Sequence, residues 1–166
     1  NKIKSIDGRL ELIKKFPNNI KVYVDYAHTP EALKKTLQSL KDYHNQNISV
    51  VFGCGGNRDI KKRPIMAKIG KSICEKIYIT DDNPREENPK KIRAEITKSL
   101  RGSNFYNIGN RAQAIKTAVL NASQDEIILV AGKGHENTQV YRKKIISISD
   151  KTIIKKLKFK KNFLLS

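Results

Sequence analysis

The sequence contains no tryptophan, one methionine and only two cysteines in 166 residues. Cys54 and Cys74 have no Cys or His neighbour at metal-ligand spacing, which points to neither a zinc site nor a disulfide framework. A reducing cytoplasm is the expected setting. No run of about 18 apolar residues occurs, and the first stretch lacks an apolar signal segment, so neither a membrane span nor an export signal is expected. Acidic residues are the scarce charge, 16 Asp and Glu against 34 Lys and Arg, which leaves a formal net charge of +18. Such an excess raises nucleic acid as a partner, because clustered cations displace phosphate counterions. The clustering is poor, however. Lysines are scattered over every predicted helix, and no basic strand carries the aromatic residues of a stacking platform. The excess is read as charged solvent faces, with attraction of an anionic substrate as the other use, and no nucleic-acid partner is expected.

What is present is alternation. Short β-branched runs at 21–25, 48–52, 76–80, 104–108 and 126–130 read as strands. Helical apolar spacing fills 31–43, 64–72, 89–100 and 111–121. This pattern predicts an α/β fold, a mostly parallel open sheet with helices on both faces. Past residue 130 the pattern changes to a hairpin over 138–142 and 144–149 and a last helix over 150–158. No internal repeat or long linker divides the chain, so 1–166 is read as one domain, with 1–7 and 158–166 expected to be loosely held.

In an open α/β sheet, ligands gather at the carboxyl ends of the strands, so the residues following each apolar run matter most. Four stretches stand there: Asp25-Tyr26-Ala27-His28-Thr29-Pro30, Gly53-Cys54-Gly55-Gly56-Asn57-Arg58-Asp59, Asp81-Asp82-Asn83-Pro84-Arg85 and Gly132-Lys133-Gly134-His135-Glu136. Each has a purely structural alternative. Asp25 with Thr29 and Pro30 could turn the chain and cap a helix. The glycines permit close backbone approach but form neither a dinucleotide fingerprint nor a Walker lysine pattern. Asp82-Asn83-Pro84 is turn chemistry, and His135 could serve only in packing. Together, the stretches bring Arg58, Arg85, Asn83 and Glu136 to one rim. Two guanidinium forks suit a carboxylate, and a carboxylate with backbone carbonyls suits an ammonium, so the set matches a zwitterion.

These residues also resemble a known family. Gly8-Arg9-Leu10-Glu11 and the stretches 25–30, 52–64, 82–85 and 131–136 are similar, in order and spacing, to the Mur ligases, and within them to the UDP-N-acetylmuramoyl-tripeptide synthetases. The resemblance spans residues 7–157. It implies a Rossmann-like C-terminal domain that recognises the amino acid and closes onto a central ATP-binding domain, in a cytoplasmic ligase of peptidoglycan-precursor synthesis. There ATP phosphorylates the D-glutamate side-chain carboxylate of a UDP-MurNAc-L-Ala-D-Glu acceptor, and the amine of meso-diaminopimelate attacks the acyl phosphate. By the same resemblance, Arg58, Asp82, Asn83, Pro84 and Arg85 hold the diaminopimelate, with Asn83 and Arg85 at its distal carboxylate. Gly132 and Glu136 receive its distal amino group, and Arg9, Asp25 and His28 approach the nucleotide.

Lysine-adding relatives generally lack arginine at the position of Arg85. Bound lysine would leave that guanidinium without its anion, a loss of about 1.5 to 3 kcal/mol per charged hydrogen bond. A lysine-adding or relaxed enzyme is therefore the weaker alternative. A dinucleotide-binding domain is disfavoured, because residues 25–30 offer no glycine fingerprint. The P-loop, the metal-binding residues and the UDP-sugar domain of the family lie outside these residues. ATP and Mg²⁺ are thus expected to act in a full-length enzyme, with no cofactor, metal or catalytic residue on this part, which by itself should be an inactive monomer.

Overall fold

The computed structural model describes residues 9–159. Gly8, residues 1–7 and residues 160–166 lie outside the described residues; of the end expected to be loose, 158–166, only Lys158 and Phe159 are described, and Phe159 packs against the core beside Phe16. Six strands form one sheet: β1 (Glu11–Phe16), β2 (Ile20–Asp25), β3 (Ile48–Phe52), β4 (Lys76–Ile79), β5 (Phe105–Asn107) and β6 (Ile127–Ala131). Their order is β1-β2-β6-β3-β4-β5. All neighbours are parallel except β1 with β2. The helices are α1 (Pro30–His44), α2 (Lys62–Ile73), α3 (Pro89–Thr97), α4 (Arg111–Leu120) and α5 (Asp150–Lys156). A two-stranded antiparallel hairpin, β7 (Thr138–Tyr141) with β8 (Lys144–Ser147), precedes α5. The expected α/β architecture is therefore present, hairpin included.

The central strands β3, β4 and β6 are buried at every position. Burial on both faces is what their unbroken apolar runs signal. One face packs Leu33, Leu37 and Leu40 of α1, Met66 of α2 and Ile92 and Ile96 of α3 against Val50, Ile77 and Leu129. The opposite face packs Ala114, Ile115 and Ala118 of α4 and Ile154 of α5 against Val22, Val51, Tyr78 and Ile128. Adjacent residues such as Val50 and Val51 thus serve opposite layers, as the two-residue period of a strand requires.

Helix starts follow the local chemistry. Thr29 caps α1, its Oγ1 accepting from the Ala32 N–H at 3.2 Å, with Pro30 in the first turn. Asn88 and Asn110 cap α3 and α4 in the same way.

The sequence pattern did not reveal β1. Its charged residues Glu11, Lys14 and Lys15 and the Pro17 that follows obscure an edge strand whose partner supplies hydrogen bonds on one side only. The tight turn into β2 puts Asn18 and Asn19 at φ of 62° and 58°, a left-handed conformation that asparagine tolerates better than most residues. Because β6 returns between β2 and β3, the carboxyl ends of β2, β6, β3 and β4 stand side by side. All four chemistry-bearing stretches therefore meet at one rim.

Candidate functional site: a charged cavity at the strand ends

At this rim the β3–α2 and β4–α3 loops fit closely together. A Cβ on Gly53 would fall 2.2 Å from the Thr80 carbonyl oxygen, and one on Gly56 would fall 1.8 Å from that of Pro84. Only glycine permits such backbone approach. The contact is sealed by the Gly56 N–H, which donates to the Asn83 carbonyl at 2.9 Å. From below, Arg63 of α2 is fully buried and donates to the Gly55 carbonyl at 3.2 Å, to Glu87 at 3.0 Å and to Glu95 at 2.6 Å. Glu87 also accepts the Asn57 N–H at 2.8 Å. The hydrogen bond from Arg63 holds the Glu87 carboxyl below its ordinary range, against the opposing effect of burial.

A cavity of about 330 Å³ opens above these loops, lined by Arg58, Asp82, Asn83, Arg85, Gly132 and Glu136, and completed by Tyr26, His28, Gly53, Gly55 and Lys62. Every residue expected to hold the amino acid faces it except Pro84. That proline is buried, and its part is to shape the turn, its carbonyl accepting the Glu87 N–H at 3.1 Å.

The two arginines differ. Arg85 takes a left-handed backbone, φ 53°, and its Nη1 donates to the Gly56 carbonyl at 2.9 Å. Arg58 is exposed, and its Nη1 reaches only the Asn57 carbonyl at 3.1 Å. One guanidinium is held across the two loops, and the other is held only by the carbonyl of the residue before it. Gly132, at φ 114°, lets its backbone pass the Asp82 carboxylate, which a Cβ there would approach to 2.9 Å.

A second cavity of about 510 Å³ adjoins the first, sharing Tyr26 and His28, and contains Arg9, Asp25 and Lys35 in its lining. All three residues expected to approach a nucleotide line it, in different states. Asp25 is buried and already committed: Oδ1 accepts the Leu10 N–H at 2.7 Å, while Oδ2 accepts the Thr36 hydroxyl at 2.8 Å and the Ala27 N–H at 3.2 Å. Thr29, not Asp25, caps the helix. His28 is exposed, and its Nδ1 faces the Tyr26 carbonyl at 2.9 Å. A carbonyl only accepts, so Nδ1 carries the hydrogen and Nε2 is left as the open face.

Three lining or supporting residues were not singled out from sequence. Tyr26 packs edge-on against His28, with ring centroids 4.6 Å apart, at the junction of the two cavities. Its hydroxyl is pushed above its ordinary pKa by burial and then by the Glu136 and Asp82 carboxylates. Lys62 donates to the His28 carbonyl at 2.9 Å and so ties the first loop to the second. Lys133, fully buried, lies beneath the cavity. The one signal for it was a lysine between glycines directly after an apolar strand.

Fold and rim together define a class: an open α/β domain with a small-molecule cavity carrying both signs of charge at its topological switch point. The chain belongs to the Mur ligase family, since the family model described as "Mur ligase, glutamate ligase domain" matches residues 8–134. It is 47% identical over 156 residues to the UDP-N-acetylmuramoyl-L-alanyl-D-glutamate--2,6-diaminopimelate ligase of Rickettsia montanensis, covering 93% of this chain and 32% of that protein. It is 43% identical over 155 residues to a ligase of the same description, numbered 1, from Clostridium acetobutylicum, covering 93% of this chain and 32% of that protein. A solved structure of a 2,6-diaminopimelate ligase superposes with a TM-score of 0.83 at 34% identity, over 92% of this chain and 31% of that one. The chain thus spans about a third of the length of the curated relatives it matches.

Proposed function

We propose that this chain is the amino-acid-recognising C-terminal domain of an ATP-dependent ligase that joins meso-diaminopimelate to UDP-MurNAc-L-Ala-D-Glu in the cytoplasm. The observation that carries the proposal is the shared cavity: Arg58, Asn83, Arg85 and Glu136, which lie up to 78 residues apart in sequence, face one space of about 330 Å³. Arg85 and Arg58 suit a carboxylate, the arm held across the loops setting the position and the exposed arm closing on it. Glu136 suits an ammonium group. Gripping the far end of the amino acid by both charges leaves its near amine to project toward the acceptor, so remote binding energy serves the positioning of the reacting nitrogen.

The described residues do not fit a site for ATP phosphates or Mg²⁺. The glycine loop lacks the Walker lysine, and among the described residues no group of three or more His, Cys, Asp or Glu side chains is placed to hold a metal. Both would be held by other domains of the full-length enzyme. The Arg9 and His28 cavity would then serve as a wall that closes on the nucleotide. Among the described residues no helix is long and apolar enough to cross a membrane.

Calorimetry of this chain with meso-diaminopimelate and with lysine, paired with turnover assays of the full-length ligase on both amino acids, tests the proposal. Diaminopimelate should be preferred by about a hundredfold or more, because a site built for a charged group rejects the analogue that lacks it. Equal use of lysine would overturn the assignment of substrate. A steep fall in anion binding with salt, together with affinity for nucleic acid, would instead favour a phosphate-binding surface.

A further inference from the structure

Lys133 is a buried cation with three polar partners, and all three line the cavity it does not itself reach. Its Nζ lies 3.1 Å from Asn83 Oδ1, 3.5 Å from Glu136 Oε2 and 3.7 Å from Asp82 Oδ1. Its side chain is 1% exposed. The glycines on either side, Gly132 at φ 114° and Gly134 at φ 55°, fold the loop so that this side chain turns inward, and the Glu136 N–H closes the turn on the Lys133 carbonyl at 2.9 Å.

Asn83 Oδ1 accepts a second hydrogen bond, from the Val140 N–H at 3.0 Å. A carboxamide oxygen has two lone pairs, and both are now engaged. An ammonium only donates, so it cannot satisfy the amide nitrogen, and the flipped rotamer would set two donors against each other. Asn83 therefore has only its Nδ2 hydrogens to offer a ligand.

We infer that Lys133 is a positioning residue for specificity: by holding Asn83 Oδ1 inward it makes Asn83 a hydrogen-bond donor to the cavity, so that the site admits a carboxylate there and disfavours an ammonium. The inference rests on the amino-acid-binding reading above and deepens it. Arg58 and Arg85 alone would attract any anion. A fixed N–H donor beside them adds direction, and the same ammonium lies between the two acidic side chains that would otherwise repel each other across the cavity floor. Lys133 thus sorts the lining, with donors facing the ligand's carboxylate and the Glu136 carboxylate left for its amine.

The test uses the full-length ligase that carries this chain, as wild type, Lys133→Met and Asn83→Asp, with KM measured separately for meso-diaminopimelate, ATP and the UDP-linked dipeptide. Both variants should raise the diaminopimelate KM by about ten- to a hundredfold and lower the preference over lysine, with the other two KM values unchanged. Aspartate at position 83 keeps an acceptor for Lys133 and the Val140 N–H, replaces the outward N–H donor with a carboxylate oxygen and adds a negative charge beside Asp82 and Glu136. It therefore tests the outward donor that Lys133 is inferred to create even if the methionine variant does not fold. An unchanged diaminopimelate KM in Asn83→Asp, or in folded Lys133→Met, overturns the inference, as does an equal rise for all three substrates. A wild-type enzyme that consumes no diaminopimelate defeats the underlying reading instead, and that result is visible before any variant is compared.

Discussion

Val140 of the hairpin holds the backbone of Arg85: its carbonyl accepts the Arg85 N–H at 2.9 Å. On the other side of the same residue, the Arg142 N–H donates to the Arg85 carbonyl at 2.7 Å. Together they form a short parallel bridge between the β4–α3 loop and β7. A left-handed backbone at a non-glycine residue costs about 1 to 3 kcal/mol and persists only where its surroundings impose it. Here the hairpin imposes it, so a strand pair outside the main sheet sets the direction of the arginine expected to read the distal carboxylate.

Because the backbone is fixed independently, the guanidinium can be removed with little damage to the loop. In the full-length ligase, Arg85→Ala should raise the diaminopimelate KM by about a hundredfold while leaving the ATP KM nearly unchanged. Arg85→Lys should recover only part of the loss, since an ammonium cannot make the forked contact. Steady-state kinetics on both substrates checks this, and equal damage to both KM values would assign Arg85 to folding instead.

Gly56→Ala introduces a methyl group where 1.8 Å separates its ideal position from the Pro84 carbonyl oxygen. The two loops must part. Stability should fall by about 1 to 3 kcal/mol, as for other overpacking substitutions, and diaminopimelate binding should weaken with it because Nη1 of Arg85 is bonded to the Gly56 carbonyl. Thermal unfolding and calorimetry on the one variant would show both effects, and a stability equal to wild type would mean the loops yield freely.

Arg111 and Asp150 form a bidentate pair with bonds of 2.8 and 2.8 Å and no exposed side-chain surface, and Arg111 also donates to the Ala131 carbonyl at 3.1 Å. Removing one partner strands a buried charge. Arg111→Ala should therefore cost about 3 to 5 kcal/mol, whereas Arg111→Met combined with Asp150→Leu should restore much of that loss. Denaturant unfolding of the three variants distinguishes a needed charge pair from a merely filled space.

Glu87 supplies the pH dependence. Its carboxyl is held below the ordinary range, chiefly by the Arg63 hydrogen bond. A depressed folded value means the contribution is fully present above the unfolded pKa of about 4.3 and is lost as the pH falls through the folded value. Wild type should exceed Glu87→Gln by about 1 kcal/mol near pH 6, and the two should converge as the pH falls through the lowered folded value. A difference that stays constant across this range would show that the carboxylate charge does not matter.

The sequence by itself determined the layers and the order of the fold. Uninterrupted apolar runs such as residues 48–52 and 127–131 specify strands covered on both faces, and the helices between them start at Thr29, Asn88 and Asn110, whose side chains cap the first turn. The charged edge strand β1 escaped, because an edge is specified by pairing on one side and not by burial. That Arg58, Asn83, Arg85 and Glu136 meet at one cavity was legible because the loops after neighbouring strand ends lie side by side. Tertiary structure alone decided which of them are fixed and which way they face. The direction of Asn83 depends on Lys133 and Val140, which are 50 and 57 residues away from it. Likewise, Asp25 and its hydrogen-bonding partner Thr36 meet only once β2 and α1 have packed. Hydrogen-bond direction depends on where distant atoms come to rest, and local sequence pattern carries no record of that.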